Sequence, residues 1–301
     1  MEYVDIFDEN NNPTGETKEK NKAHEDGNFH RTAHVWIIND KNELLLQKRS
    51  SMKKTHPNCW DISGAGHIRS GEQVLSGAVR ELKEELGVTI EEKELNFIDV
   101  IKSTKNPKNM EFAYVFLIKQ NKDINEYVFE DLKVSEVKYV HFEKLEQMVK
   151  DKAEGLLIHN EEYRKLFAYI RSIINNEGLF KYKDIVNHKP IHIATVTQNN
   201  KPNLAVASDN IIINDSFMIT SVNEMTNTQE NIKYNSNVVI TAFDNEWKGV
   251  RIFGKAEYKI DGIFYELCDK TFFGNGEVSP FGATKPKGVL AISVDKIEDY
   301  E

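Results

Sequence analysis

Residues Gly66–Val88 read GHIRSGEQVLSGAVRELKEELGV. Leu75, Ala78, Val79, Leu82 and Leu86 recur at helical spacing, so Gln73–Leu86 is expected to be a helix. Glu81, Glu84 and Glu85 stand at i, i+3 and i+4 and share one face of it. Leu75, Ala78, Leu82 and Leu86 fall in another sector, which is expected to bury against a sheet. Three carboxylates this crowded repel one another unless cations lie between them, and hard oxygen ligands select Mg2+ or Mn2+. Arg80, four residues before Glu84, is placed to orient it. Gly77 falls on the face of Glu81 and is expected to leave room there, and Gly64–Gly71, with three glycines, supplies a tight loop before the helix. A Glu-rich helix is usually just a solvated face. The full spacing, with both glycines and Arg80, argues for a metal helix.

Working outward, Asp8–Pro13 (DENNNP) is a turn between strand-like stretches, and His34–Lys48 reads as strand, turn at Asn39–Asn42, and strand. Phe112–Ile118 and Val137–Val140 are further strands. From Glu143 to Ile174 the pattern is helical, with Tyr163, Leu166, Phe167, Ile170 and Ile174 as its stripe and Asn175–Gly178 as its stop. Beyond lie seven short β-rich runs separated by turn clusters: His192–Thr197, Leu204–Ala207, Ile211–Ile213, Phe217–Thr220, Val238–Phe243, Val250–Tyr258 and Val289–Val294. Such a series points to a small β-barrel. The expected organisation is an N-terminal α/β/α domain over 1–170, a linker over 171–180, and a six-to-seven-stranded split β-barrel over 181–301.

The 301 residues, 40% apolar and 29% charged, are ordinary globular composition, and the length suits two domains. A net charge of −9 argues against a general nucleic-acid binder but not against a diphosphate held through cations. Apolar runs are too short to cross a bilayer, and the start MEYVD lacks a secretory pattern. Cys59 and Cys268 form no disulfide framework. A cytoplasmic protein without membrane partners is expected.

Gly66, Glu72, Arg80-Glu81-Leu82, Glu84-Glu85, Gly87 and Val88 match every fixed position of the Nudix box, and residues 1–170 resemble the Nudix family. The resemblance implies hydrolysis of a diphosphate linked to a nucleoside or related group. It also implies metal held by Gly66, Glu81, Glu84 and Glu85, with Glu84, Glu85 and Arg80 in catalysis. Glu111 and Glu136 are candidate bases from outside the helix. His24, Gly27, His30, Gln47–Ser50, Pro57–Asp61 and Gly66-His67 look like the branch that contains isopentenyl-diphosphate isomerase. In that branch, residues matching His24, His30 and His67, with a glutamate near Glu111, hold a second metal, and a cysteine just before the Gly-His pair carries a proton. Here that place is Ala65, and Cys59 lies six residues upstream, so hydrolase leads. An isomerase, or a sensor that binds without turnover, is the alternative. Spacing alone does not bring the three histidines together; a surface hairpin for His24 and His30 is the plainer expectation.

From Lys181 onward the chain resembles the pyridoxamine-phosphate-oxidase-like split barrel that binds FMN. The matching stretches are Ile193–Val196, Lys201–Asn203, Phe217–Thr220, Thr226–Ile232 and Arg251–Ala256. A short helix is expected to start at Thr226–Glu230, and a helix N-terminus with threonine hydroxyls suits a phosphate. The resemblance places Thr228 and Asn231 near the FMN phosphate and Ala205–Ser208 along the flavin ring. It implies a homodimer through 178–301 and leaves flavin-dependent oxidoreductase activity open. Lys233, Lys248 and Arg251 are the cations on offer.

Overall fold

The computed structural model describes residues 1–104, 107–129, 133–223, 225–274 and 285–300. It divides into two compact units, Met1–Ala168 and Tyr169–Glu301. No helix among the described residues is long and apolar enough to cross a membrane.

In the first unit, β1 (Tyr3–Phe7) and β2 (Pro13–Glu19) form an antiparallel hairpin. Its turn is locked by Asp8, whose Oδ1 accepts from the N–H groups of Asn10 and Asn12, and Asn11 takes a left-handed φ of 66°. Then come α1 (Lys20–Asp26), β3 (His30–Ile38), β4 (Glu43–Arg49), β5 (Trp60–Asp61) and β6 (Gly64–His67). They are followed by α2 (Val74–Leu86), β7 (Asn96–Ser103), β8 (Glu111–Lys119), β9 (Val134–His141), α3 (Phe142–Lys150) and α4 (Asn160–Asn175). The sheet runs β5-β4-β3-β8-β7, with β6 also on β3 and β9 also on β4.

β3 and β4 meet only at Ile38 and Leu44 before diverging, β3 to β6 and β8, β4 to β5 and β9. Leu44, Leu45 and Leu46 are all buried, as are Val35, Trp36 and Ile37, so both strands have both faces covered. The α2 helix covers the β6 and β3 face with Leu75, Ala78, Leu82 and Leu86 fully buried, and Gly87 ends it at φ 63°. Truncating one of these leucines to alanine would cost about 2–5 kcal/mol. The start of α4 lies over β3, where the Tyr163 ring is tilted by 55° against that of Trp36, with centroids 5.3 Å apart.

The single helical stretch expected from Glu143 to Ile174 is two helices. Between them, Lys152 and Gly155 take positive φ, and the backbone turns aside to pair with Trp60: Trp60 N–H donates to Gly155 O (2.7 Å) and Leu157 N–H to Trp60 O (2.9 Å). The helical pattern carried no sign of this detour. The expected stop at 175–178 coincides with the end of α4.

In the second unit, all seven β-rich runs are strands. They are β10 (Ile191–Val196), β11 (Pro202–Ala207), β12 (Asn210–Asn214), β13 (Phe217–Val222), β14 (Asn237–Phe243), β15 (Gly249–Lys259) and β16 (Gly288–Tyr300). They form one antiparallel sheet in the order β11-β10-β14-β15-β16-β13-β12, with β11 and β12 as open edges. This is a split barrel. Its core includes Ile193, Ile240, Ile252 and Ile292, and Leu179 joins it from within the stretch expected as a linker. Helices α5 (Lys183–Val186), α6 (Thr226–Tyr234) and α7 (Gly262–Phe272) complete the unit.

Candidate functional site

On α2, Glu81 and Glu85 are buried while Glu84 stays partly open, its side chain 35% exposed. Arg80 holds the segment together. Its Nε and Nη2 donate to both Glu72 carboxylate oxygens (2.7 and 2.8 Å), Nη1 to Glu81 (2.5 Å), and Nη2 to the His67 carbonyl (2.9 Å). Its contact with Glu84, the one expected from spacing, is the longest at 3.4 Å. The fork fits Glu72 bidentately, and that geometry outcompetes the neighbour one turn away. Arg80 therefore fastens the helix to the loop before it.

Gly66 lies against Glu81, and a Cβ there would collide with the Glu81 carboxyl. Gly77 was expected to leave space for a ligand; Ile68 and Glu72 of the same loop fill that space, with Ile68 Cδ1 2.5 Å from where a Cβ would be. Glu85 reaches the free edge of β6, accepting from Ala65 N–H (3.1 Å) and Gln47 Nε2 (3.0 Å), with Lys53 Nζ at 3.9 Å. Burial pushes its carboxyl up to about 7, and burial raises Glu81 as well.

On the opposite face of β6 stands a second group. Successive residues alternate across a strand, so Ala65 and His67 point away from the side on which Gly64 and Gly66 meet α2. His67 joins His24, His30 and Glu111, whose donor atoms all lie within 4.8 Å of one another. β3 and β8 run parallel with His30 beside Glu111, and Thr32 pairs with His67 on β6. His24 sits on α1 instead of the surface hairpin that its spacing suggested, and its Nε2 is 3.0 Å from His67 Nε2. The Nδ1 atoms of His24 and His30 meet the carbonyls of Lys108 (2.8 Å) and Asn28 (2.9 Å), leaving both Nε2 atoms for the cluster.

Burial would raise Glu111, but His30 and His67 hold it down at about 2, while burial pushes His67 down to about 3. Glu111 thus belongs with the histidines. Glu136, the other candidate base, is exposed and paired with Lys48 at 3.2 Å.

Sequence reasoning missed a third group, next along the same face of β3. His34 Nδ1 is 2.8 Å from Glu162 Oε2, and Trp36 Nε1 donates to Glu162 Oε1 (2.8 Å). Beside it His159 Nε2 is 3.1 Å from Asp61, which also takes Arg49 Nη1 at 3.1 Å. The signal that could have found it is the alternation of His30, Thr32, His34 and Trp36 on one strand face.

In the second unit, a hollow of about 450 Å³ is lined by residues that include Asn203, Ala205, Ser208, Asp209, Asn223 and Thr226–Thr228. It contains Thr228, Ala205 and Ser208 of the expected flavin residues. Asn231 is turned inward, its Nδ2 donating to Thr195 Oγ1 (2.9 Å), and does not line the hollow. The hydroxyl of Thr228 is buried and accepts from Asn203 (3.3 Å). No lysine or arginine among the described residues lines this space. Arg251 is spent on Glu298 and the Tyr300 ring, and Lys248 on Glu246.

An α/β/α sandwich whose glycine loop and carboxylate helix are clamped by an arginine defines a Nudix-type domain, here followed by a split barrel. The NUDIX domain family model matches residues 28–158. A Nudix hydrolase of Clostridium acetobutylicum is 34% identical over 192 residues, 60% of this chain and 91% of that protein. Isopentenyl-diphosphate Delta-isomerase 1 of Mus musculus is 30% identical over 203 residues, covering 61% and 85%. Among solved structures, an FMN-binding protein from Syntrophomonas wolfei aligns with 52% of this chain and 97% of its own, at 21% identity and a TM-score of 0.33. The chain belongs to the Nudix family.

Proposed function

We propose that the first unit hydrolyses a diphosphate linkage in a nucleoside-diphosphate-type or related small molecule, with Mg2+ or Mn2+. The observation that carries this reading is the complete carboxylate helix, with Glu81 seated against Gly66 and Glu85 on the β6 edge. The residues fit a hard cation: Glu81, Glu84 and Glu85 supply three carboxylates at i, i+3 and i+4 of one helix. Such a cation would neutralise charge on the phosphoryl oxygens and activate water. Arg80 fixes the helix to the loop, so the carboxylates keep their spacing as substrate arrives. Gln47 and the Ala65 N–H orient Glu85.

The histidine cluster fits a second, softer-liganded metal. His30 Nε2 is buried without a hydrogen-bond partner, and backbone carbonyls fix the ring orientations of His24 and His30. This cluster favours the isomerase as a second reading, since the resemblance to that branch implied these four ligands. Ala65 weighs against it, because a methyl group offers no proton. Hydrolysis in water enriched in 18O, followed by 31P NMR, separates the two. A hydrolase splits the diphosphate and puts 18O on one product; an isomerase leaves the phosphorus resonances unsplit.

For the second unit the reading is a homodimer with FMN in the hollow. The volume and the start of α6 suit a flavin ring and backbone contacts. The lining of a single chain does not fit a phosphate dianion, since it carries Asp209 and no cation among the described residues. The 59–66% exposure of Val206 and Leu204 on the edge strand β11 supports pairing with a second copy.

A further inference from the structure

The face of β3 that holds the metal cluster continues past it. His30, Thr32 and His34 project in succession, about 7 Å apart along the strand. Thr32 is buried, and its Oγ1 has no hydrogen-bond partner. His34 is fastened through Nδ1 to Glu162, itself fixed by Trp36, while its Nε2 has no partner among the described residues. Directly across from His34 in the register is Ala65, only partly buried and ending at a methyl. Across from Thr32 on β8 is Ala113. The His34 Nε2 is thus a polar atom without a partner among the described residues, and its neighbour on β6 is the small, partly exposed Ala65. Glu162 keeps the His34 ring charged, up to about 9 despite burial, so at neutral pH both its nitrogens carry protons.

We propose that His34 is a specificity-determining residue whose Nε2–H donates to an oxygen on the non-phosphate part of the substrate. This rests on the reading of the domain as a diphosphate-binding site. The substrate class is narrowed accordingly: the group attached to the diphosphate carries a hydroxyl, carbonyl or carboxylate oxygen near the metal cluster. A purely hydrocarbon tail leaves the His34 Nε2–H without an acceptor, and sites of this kind reject analogues that lack the matching oxygen.

The test uses a matched pair differing by one water: the methylene-bridged, non-hydrolysable forms of isopentenyl diphosphate and 3-hydroxy-3-methylbutyl diphosphate. Their binding to the full chain with Mg2+ is measured by calorimetry, so the result does not depend on turnover, and hydrolysis by the native enzyme is assayed separately. We expect the hydroxylated compound to bind at least tenfold more tightly, and His34→Leu to abolish the preference while His34→Gln keeps part of it. Because His34→Leu leaves Glu162 buried and unpaired, the double variant His34→Leu/Glu162→Leu is measured alongside, with circular dichroism to verify folding. Equal binding of the pair, no binding of either, or a preference that survives in the folded double variant would overturn the proposal. Failed hydrolysis with the preference intact would overturn only the reading of the reaction.

Discussion

Gly66 lies so close to Glu81 that a single methyl group on it would occupy the space of the Glu81 carboxyl. The loop and the carboxylate helix are therefore one fitted part, fastened again by Arg80 through Glu72 and the His67 carbonyl. Gly66→Ala is expected to push Glu81 aside and lower hydrolysis by about 100-fold, the usual result of a misplacement near 1 Å. Wild-type rates with unchanged secondary structure would show that this fit is not used. Steady-state kinetics with circular dichroism reads both.

His34 gives a pH dependence of stability. Its folded value is raised from 6.5 to about 9: burial opposes the charge, and Glu162 more than offsets burial. The stabilisation is fully present below pH 6.5 and is lost as pH rises toward 9. Urea unfolding at pH 6.5 and pH 9 should differ by on the order of 2 kcal/mol in the native protein, and by much less in His34→Gln. An equal difference in both proteins would assign the effect to other groups.

The unmodified chain is expected not to interconvert isopentenyl and dimethylallyl diphosphate. Ala65 presents a methyl group where that chemistry, by resemblance, needs a proton. Product formation at an enzymatic rate, followed by gas chromatography of the dephosphorylated alcohols, would contradict this and promote the isomerase.

Much of this architecture is written locally, and the rest is not. Leu75, Ala78, Leu82 and Leu86 announce α2 through their spacing, and seven β-rich runs announce seven strands, because period and turn chemistry are short-range signals. The gathering of His24, His30, His67 and Glu111 depends on β3 pairing with both β6 and β8, a long-range choice with no local code. The His34–Glu162 pair spans 128 residues and was invisible for the same reason. Helix α7 was missed although Phe264, Leu267 and Cys268 stand at i, i+3 and i+4.

For the second unit, light scattering and flavin fluorescence quenching are expected to report a dimer that binds FMN. A dimer without flavin would reduce the barrel to an assembly module. A monomer that leaves FMN fluorescence unchanged would remove both the site and the dimer.

The central claim is that α2 holds the cations for hydrolysis. It is tested most directly by assaying nucleotide, sugar-nucleotide and prenyl diphosphates with Mg2+, then repeating the best substrate with the Glu84→Gln/Glu85→Gln double variant. The amides keep the shape and remove the charge that the cations need. The account predicts a fall of about 1,000-fold or more with the fold intact by circular dichroism; full turnover by the double variant would contradict it.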